Sequence, residues 1–297
     1  MNFGYESFMY TFIVAHQDDW QLCMADAAYD ALMNANHSKV LFIYLTAGDA
    51  GDSDIRHYQG REEGARASVR HILENICEYQ HAEVHELCNY NGHTLDRFSI
   101  GNISSVFLRI RDIPKMMGPS ALMRLVDNKE PVTSLAPSIN TYRDEKDLVL
   151  TIAEITRSEG INESGEVWLA AIKNNRSAGH RDHKLTARLT TAVAMTIANE
   201  DPNRAVNIAW FEGTNRKISS KDESIHKRVA ALLPYEAEML KAFPDASHCT
   251  LSEDLIISRC LLLKEVRSNQ RVRPSPDPLP KSGPWKRFVF RLKEVIR

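Results

Sequence analysis

Apolar runs alternate with helix-like segments along most of the chain. Near-continuous apolar runs at 10–15, 39–45 and 166–172 are typical of buried parallel strands. Further strands are predicted at 82–88, 103–110 and 206–211, and helices at 21–36, 60–78, 144–158, 183–199 and 224–242. Strands that alternate with helices favour right-handed crossovers. The pattern therefore predicts an α/β fold with a Rossmann-like, mostly parallel sheet flanked by helices.

Three segments interrupt this pattern. Residues 114–137 carry mixed signals and read as an insertion, and Pro234 is expected to kink or split the last helix. We expect one domain over residues 1–270, followed by a proline-rich extended segment and a basic amphipathic tail over residues 271–297. The tail could lie on an anionic membrane surface, but packing onto the body or onto a sister subunit is favoured, so a homo-oligomer is left open.

Composition narrows the function classes. The chain has 297 residues, 43% of them hydrophobic, and a formal net charge of −2, which is ordinary for a soluble globular protein and gives no sign of nucleic-acid binding. The five cysteines form no CxxC pair, the N-terminus lacks a signal-peptide pattern, and no apolar stretch is long enough for a transmembrane segment. We therefore expect a cytoplasmic protein with reduced thiols.

The first polar cluster follows the first predicted strand directly. His16, Asp18 and Asp19 lie in the sequence AHQDD at residues 15–19, between an apolar run and a helix-like segment. Ligand sites of open α/β sheets form just past the C-terminal ends of strands. Burying unpaired charges within a strand is costly. At the strand's exit, these side chains can bind a metal and leave one carboxylate free to move protons.

A second cluster, HRDH at residues 180–183, follows the strand at 166–172 after a short polar loop. His180 and His183 are three positions apart, so they lie on one helical face, and Asp182 can cap the helix or orient an imidazole. Alone, either cluster is typical of a solvated helix start. Together they offer histidines and aspartates at two strand exits, which suits a catalytic zinc site with three protein ligands and one open position.

The motifs resemble those of the LmbE-like (PIG-L) family of zinc-dependent N-acetylglucosaminyl deacetylases. AHQDD resembles the family's AHPDD, and HRDH resembles its HPDH. Between them, the sequences TAG at 46–48, GREE at 60–63 and NYNG at 89–92 are similar to the family's threonine–x–glycine loop, its arginine–glutamate helix start and its Pro-Asp-Gly turn. The resemblance spans residues 10–240 and implies the fold of these deacetylases.

Residue roles follow from the resemblance. It implies that zinc is bound by a metal set of His16, Asp19 and His183, with Fe²⁺ as another metal that such ligands suit. It also implies that Asp18 is the general base, that His180 stabilises the oxyanion or protonates the leaving amine, and that Asp182 holds His180. Substrate contacts are expected from these side chains: Arg61, Asn91, Trp20 and Asp49.

The positions at which the chain departs from the family motifs are expected to affect substrate binding more than metal binding. Gln17 and Arg181 replace prolines, and neither position supplies a ligand. Trp20 stands where glutamate is common, and Asn91 stands where an aspartate contacts the sugar in relatives. We therefore expect a hydrolase that removes an acetyl group from an N-acetylated sugar derivative or related amide. The alternatives are a member that binds metal and ligand without hydrolysis, and a metal amidase for a non-sugar substrate.

Overall fold

An eight-stranded mixed sheet lies at the centre of the protein, in the order β10-β9-β8-β1-β2-β5-β4-β3. The computed structural model describes residues 8–52, 54–75, 81–112, 118–160, 165–173, 181–211, 225–242 and 289–291. The strands are β1 Phe8–Val14, β2 Ser38–Thr46, β3 Glu83–Tyr90, β4 His93–Ile100, β5 Ile103–Ile110, β6 Val132–Thr133, β7 Thr141–Tyr142, β8 Glu166–Ile172, β9 Ala205–Phe211 and β10 Val289–Arg291. The helices are α1 Asp19–Cys23, α2 Ala25–Met33, α3 Ile55–Asn75, α4 Ala121–Val126, α5 Glu145–Ser158, α6 Arg181–Glu200 and α7 Ile225–Ala242. Strands β6 and β7 pair in a separate two-stranded sheet.

The inner strands of the large sheet are parallel. β1 pairs in parallel with both β2 and β8, β2 with β5, and β8 with β9. Antiparallel pairs occur at the two edges, where β10 pairs with β9 and the β3–β4 hairpin pairs with β5. The predicted α/β class with a mostly parallel sheet flanked by helices is confirmed.

Both faces of the sheet are covered, because successive strand residues point to opposite sides. On β1, Ile13 belongs to the apolar cluster formed with α4, α5 and α6, whereas Phe12 belongs to the cluster formed with α2, α3 and α7. Both side chains are fully buried. Burial of a side chain of this size contributes about 1.5–3 kcal/mol, so the near-continuous apolar runs are what fixes these strands in the middle layer.

The structure differs from the sequence prediction in five places. β4 was not predicted, because its polar residues give no clear apolar pattern and it forms by pairing with β3. The helix predicted at 21–36 is two helices that meet at Met24, and α3 begins earlier than expected, at Ile55. The segment read as an insertion contains α4 and β6. α7 continues through Pro234 without being split.

The C-terminal region is described only at β10. These three residues extend the sheet by pairing with Asn207, Ile208 and Ala209 of β9, so this part of the predicted tail packs onto the body. The rest of residues 271–297 lies outside the described residues. Among the helices that the structure describes, none is both long and apolar enough to cross a bilayer.

Candidate metal centre

The polar clusters meet at the C-terminal ends of the parallel strands. β1 lies between β8 and β2, and the chain proceeds from β1 towards β2 but from β8 towards β9, in opposite directions along the sheet. Such a switch point leaves a crevice at the strand ends, where open α/β sheets bind ligands. The loop after β1 and the start of α6 after β8 both open into this crevice.

Three side chains converge there. The Nε2 atom of His183 lies 2.9 Å from Oδ1 of Asp19, and Nδ1 of His16 lies 3.7 Å from the same oxygen. The backbone N–H of His16 donates to the other oxygen of Asp19 at 2.9 Å. One ligand atom from each of the three residues lies within 4.8 Å of the other two. The sequence-predicted metal set is therefore brought together from two distant parts of the chain.

Buried opposite charges dominate the electrostatics of this triad. Burial lowers the pKa of both imidazoles, but the nearby carboxylates together outweigh it. Asp19 raises both pKa values, and Asp182 and Asp112 add to the effect at His16, so the pKa of His16 lies well above its usual value and that of His183 is also raised. Burial alone would raise the pKa of Asp19, yet the two histidines hold it well below its ordinary value. The cluster thus favours an ionised carboxylate with positive charge beside it.

The second nitrogen of His16 faces two further carboxylates. Its Nε2 atom lies 3.8 Å from Oδ2 of Asp112 and 3.8 Å from Oδ2 of Asp182. Asp182 is fully buried, and its Oδ1 accepts a hydrogen bond of 2.5 Å from the Ser120 hydroxyl. Metal-binding histidines commonly direct their other ring N–H at a carboxylate, which fixes the ring's orientation. Asp112 and Asp182 are in position to do this for His16.

Asp18 lies beside the triad but is held by a different group. The Nη2 atom of Arg61, on α3, donates to Oδ1 of Asp18 at 2.6 Å. The side chains of Arg61 and Asp18 are 14% and 11% exposed, so this ion pair is largely shielded from water. Adjacent Asp18 and Asp19 therefore have different partners, Arg61 and His183, and their separate roles stay a prediction.

Asp49, expected to contact substrate, is fully buried behind the site. Its Oδ1 accepts from the backbone N–H of Asp112 at 2.6 Å, and its Oδ2 accepts from Nε of Arg111 at 3.2 Å. Burial raises the pKa of Asp49 despite these bonds. Asp49 thus links the loop after β2 to the end of β5 and holds Asp112 in place.

Trp20 and Asn91 do not face the triad. Trp20 is fully buried, donates from Nε1 to the Tyr44 hydroxyl at 3.1 Å, and packs against the Phe42 ring. This is a core position and not a pocket wall. Asn91 lies in the turn between β3 and β4, with β2, β5 and β4 between it and β1. Its amide donates to Asp147 on α5 at 3.1 Å.

The site also contains residues that sequence reasoning missed. Asp112 lies two residues after the end of β5, so the rule that selected residues at strand exits could have found it. Ser120 precedes α4 and caps it, and no sequence signal connects it to Asp182. His180, predicted to act on the oxyanion or the leaving amine, lies outside the described residues.

The donor set fits a divalent metal. Two imidazole nitrogens and a carboxylate oxygen form one of the common three-ligand sets of catalytic zinc sites. Carboxylates such as Asp112 and Asp182, which face the second ring nitrogen of His16, are also typical of such sites. His16, Asp19 and His183 would hold the metal, and a divalent cation would place positive charge among the carboxylates that now face the two imidazoles.

A family model described as PIG-L, GlcNAc-PI de-N-acetylase, matches residues 11–194. The match covers more than half of the 297 residues and includes both polar clusters. The chain belongs to the PIG-L family. No curated protein sequence matches the chain.

Solved structures similar to this PIG-L chain share little sequence with it. A teicoplanin deacetylase in its zinc-inhibited form is 14% identical with a TM-score of 0.41, over 89% of this chain and 92% of that one. N,N'-diacetylchitobiose deacetylase from Pyrococcus horikoshii is 12% identical with a TM-score of 0.44, over 88% and 76%. The 4-carboxy-2-hydroxymuconate hydratase from Pseudomonas putida KT2440 is 12% identical with a TM-score of 0.41, over 92% and 92%. Family membership therefore rests on the match over residues 11–194.

Proposed function

We propose that this protein is a zinc-dependent deacetylase that hydrolyses the acetamide of an N-acetylated amino sugar or a closely related amide. The observation that carries the proposal is the convergence of His16, Asp19 and His183, with Asp18 beside them in a separate ion pair with Arg61. A metal site with an adjacent carboxylate that is not a ligand suits hydrolysis better than structural metal binding, which uses all of its ligands for the ion.

The chemistry divides among the chain's own residues. When bound by His16, Asp19 and His183, Zn²⁺ or Fe²⁺ supplies a Lewis acid and lowers the pKa of water to about 7. Asp18 accepts the proton of the attacking water as general base. His180 stabilises the negative charge that develops on the acetyl oxygen, or returns a proton to the departing amine. The products are acetate and a free amine, so water and the amide bond are both accounted for.

Positioning is the proposed role of the surrounding carboxylates. Asp182 and Asp112 are proposed to orient the His16 ring through its second nitrogen, and Asp182 keeps its expected role of holding His180. Asp49 holds Asp112 through the backbone. Arg61 is proposed to orient Asp18 in addition to its expected contact with substrate. The family description supports an acetylated amino sugar as substrate class, and a cytoplasmic location stays a prediction from the sequence.

The decisive experiment measures acetate and free amine from a panel of substrates. The full chain is stripped of metal with a chelator and reloaded with Zn²⁺, Fe²⁺ or no metal. The panel contains N-acetylglucosamine, its inositol-linked and chitobiose forms, and N-acetylated amines without a sugar. We expect acetate from at least one sugar with the reloaded protein and none with the stripped protein.

Other outcomes would overturn the proposal in favour of specific alternatives. Metal-dependent sugar binding without acetate release would indicate a binding protein that retains the family's metal site. Acetate from the non-sugar amines alone would indicate a metal amidase of different specificity. Equal acetate release by the stripped and the reloaded protein would exclude the metal-dependent mechanism.

A further inference from the structure

Gln17 stands where the family motif has proline, and its side chain is tied into the site. It is fully buried. Its Nε2 group donates to the carbonyl of Thr46, at the end of β2, at 2.8 Å. Its Oε1 atom accepts from Nε of Arg61 at 3.2 Å. A proline could make neither contact, so this amide forms a link between β2 and α3 that the family motif does not provide.

The guanidinium of Arg61 is thereby held from two sides. Its Nε group is bound by Gln17, and its Nη2 group donates to Asp18 at 2.6 Å. A guanidinium is planar, so fixing Nε fixes the direction in which the remaining N–H groups point. Gln17 and Asp18 are adjacent in the chain, and the side chains of both are bound by the same guanidinium, that of Arg61.

The loop after β2 leaves space for this arrangement. Gly48 adopts a left-handed backbone conformation, with φ of +60°. A Cβ atom at this position would lie 2.5 Å from Oε1 of Gln17 and 2.6 Å from Nε of Arg61. A side chain at position 48 would therefore collide with the two atoms that form the hydrogen bond between Gln17 and Arg61. Glycine at position 48 serves both the turn and the contact between Gln17 and Arg61.

We propose that Gln17 is a positioning residue, which orients Arg61 so that its guanidinium holds Asp18 in the geometry required of a general base. This rests on the proposed function for the role of Asp18, but the contact from Gln17 to Arg61 is independent of it. Because Gln17 acts through Arg61 on the proton-accepting group, its loss should reduce kcat more than it changes KM, which also depends on the expected contact of Arg61 with substrate.

The test uses Gln17→Leu, which keeps the side-chain size and removes the amide. Gln21→Leu is the matched control, since Gln21 is also buried but bonds to Ser68 on α3 at 3.4 Å. Hydrogen exchange at the arginine Nε–H groups is measured by NMR on the full chain, with the Arg61 signal assigned by its loss in Arg61→Lys. We expect exchange at Arg61 to accelerate about tenfold in Gln17→Leu and to stay unchanged in the control.

Unchanged exchange at Arg61 in Gln17→Leu overturns the proposal, whatever the enzyme does. If Gln17→Leu does not fold, Gln17→Met is measured in the same way. Absence of any deacetylase activity overturns the proposed function alone, because the exchange measurement does not use turnover.

Kinetics on an active substrate provide the second readout. We expect kcat of Gln17→Leu to fall about tenfold to a hundredfold, with a smaller change in KM and with metal affinity within twofold. Gln17→Leu should cause no further loss of kcat when it is added to Arg61→Lys. A rise in KM at constant kcat, or equal losses in Gln17→Leu and Gln21→Leu, overturns the positioning role.

Discussion

The Nε2 atom of His183 lies 2.9 Å from Oδ1 of Asp19, although the two residues are 164 positions apart. This contact joins the start of α6 to the loop after β1. A ligand that binds both residues stabilises the fold only when the two segments are together, so metal binding and folding are linked.

We therefore expect Zn²⁺ to raise the melting temperature of the protein. At a free concentration about 100 times the Kd, the gain in unfolding free energy is about 2.7 kcal/mol. Thermal melts with Zn²⁺ and with a chelator measure it. His183→Ala should abolish the difference, whereas His85→Ala, on the exposed β3 edge, should retain it. A zinc-induced shift of the same size in His183→Ala would contradict the assigned ligand set.

Asp18→Asn should keep the metal and lose turnover. The amide preserves the size of the side chain but cannot accept the proton, and loss of a general base typically lowers kcat about 10²–10⁴-fold. Metal content and kcat are measured on the same preparation. Asp54→Asn is the control, because Asp54 also pairs with an arginine, Arg56, but on the surface. Full activity in Asp18→Asn would exclude Asp18 as the base.

Asp112→Asn should weaken metal binding without removing it. Asp49 holds the backbone N–H of Asp112, so the substitution changes the charge facing His16 and leaves the loop in place. Loss of such a carboxylate typically costs about 10–100-fold in metal affinity, measured by competition with a chromophoric chelator. The surface substitution Asp127→Asn should leave the affinity unchanged, and an unchanged affinity in Asp112→Asn would show that Asp112 does not support His16.

Glu159 should contribute acid-sensitive stability far from the metal centre. Burial alone would raise its pKa, but hydrogen bonds from Arg97 and the charge of Lys39 lower it to about 2 from an ordinary 4.5. A lowered folded-state pKa means that the contribution is complete above pH 4.5 and is lost as the pH falls towards 2. The loss amounts to on the order of 3 kcal/mol.

Denaturant unfolding of the parent protein and of Glu159→Gln between these pH values tests this. The pH dependence should be weaker in Glu159→Gln, because the amide does not titrate. Glu154→Gln is the control, because it removes a more exposed carboxylate that pairs with Arg157. Its unfolding free energy should depend on pH as strongly as that of the parent protein. The same pH dependence in the parent protein and in Glu159→Gln would refute the prediction.

Tyr235→Phe should stabilise the protein. Tyr235 is 1% exposed, and its hydroxyl has no hydrogen-bond partner among the described residues. A buried unsatisfied polar group costs about 1–3 kcal/mol, so removing the hydroxyl should raise the unfolding free energy, measured by denaturant titration. Tyr90→Phe is the opposite control, because the Tyr90 hydroxyl donates to Glu159 at 2.9 Å and its removal should destabilise. A destabilised Tyr235→Phe would mean that this hydroxyl has a partner in the folded protein.

The sequence predicted the parts of the fold that depend on local pattern. β1, β2 and β8 are recognisable because strands buried on both faces are apolar throughout. β4 is not, since its polar residues are stabilised by pairing with β3 and β5. The sequence feature that could have indicated β4 is the dipeptide Asn91-Gly92, which favours a two-residue hairpin turn. Both residues adopt positive φ angles in the structure.

The candidate site shows the same difference between features with a local sequence pattern and features that depend on tertiary contacts. Polar clusters at two strand exits pointed to a site, and the resemblance of their motifs to those of the family implied His16, Asp19 and His183 as the ligands. The contacts of Trp20 with Tyr44, and of Gln17 with Arg61, depend on which helix packs over which strand. Such contacts have no local signature, so the sequence analysis included Trp20 among the expected substrate contacts and gave Gln17 no role.

The long separation between Asp19 and His183 also has a consequence during protein synthesis. The loop after β1 leaves the ribosome before most of the sheet has been made, whereas His183 on α6, its partner in the proposed metal site, emerges after β8. A nascent chain or fragment that ends before α6 therefore lacks one of the three proposed ligands. Tight metal binding should first appear when β8 and the start of α6 have joined β1, so metal uptake would mark the moment at which the two halves of the sheet assemble.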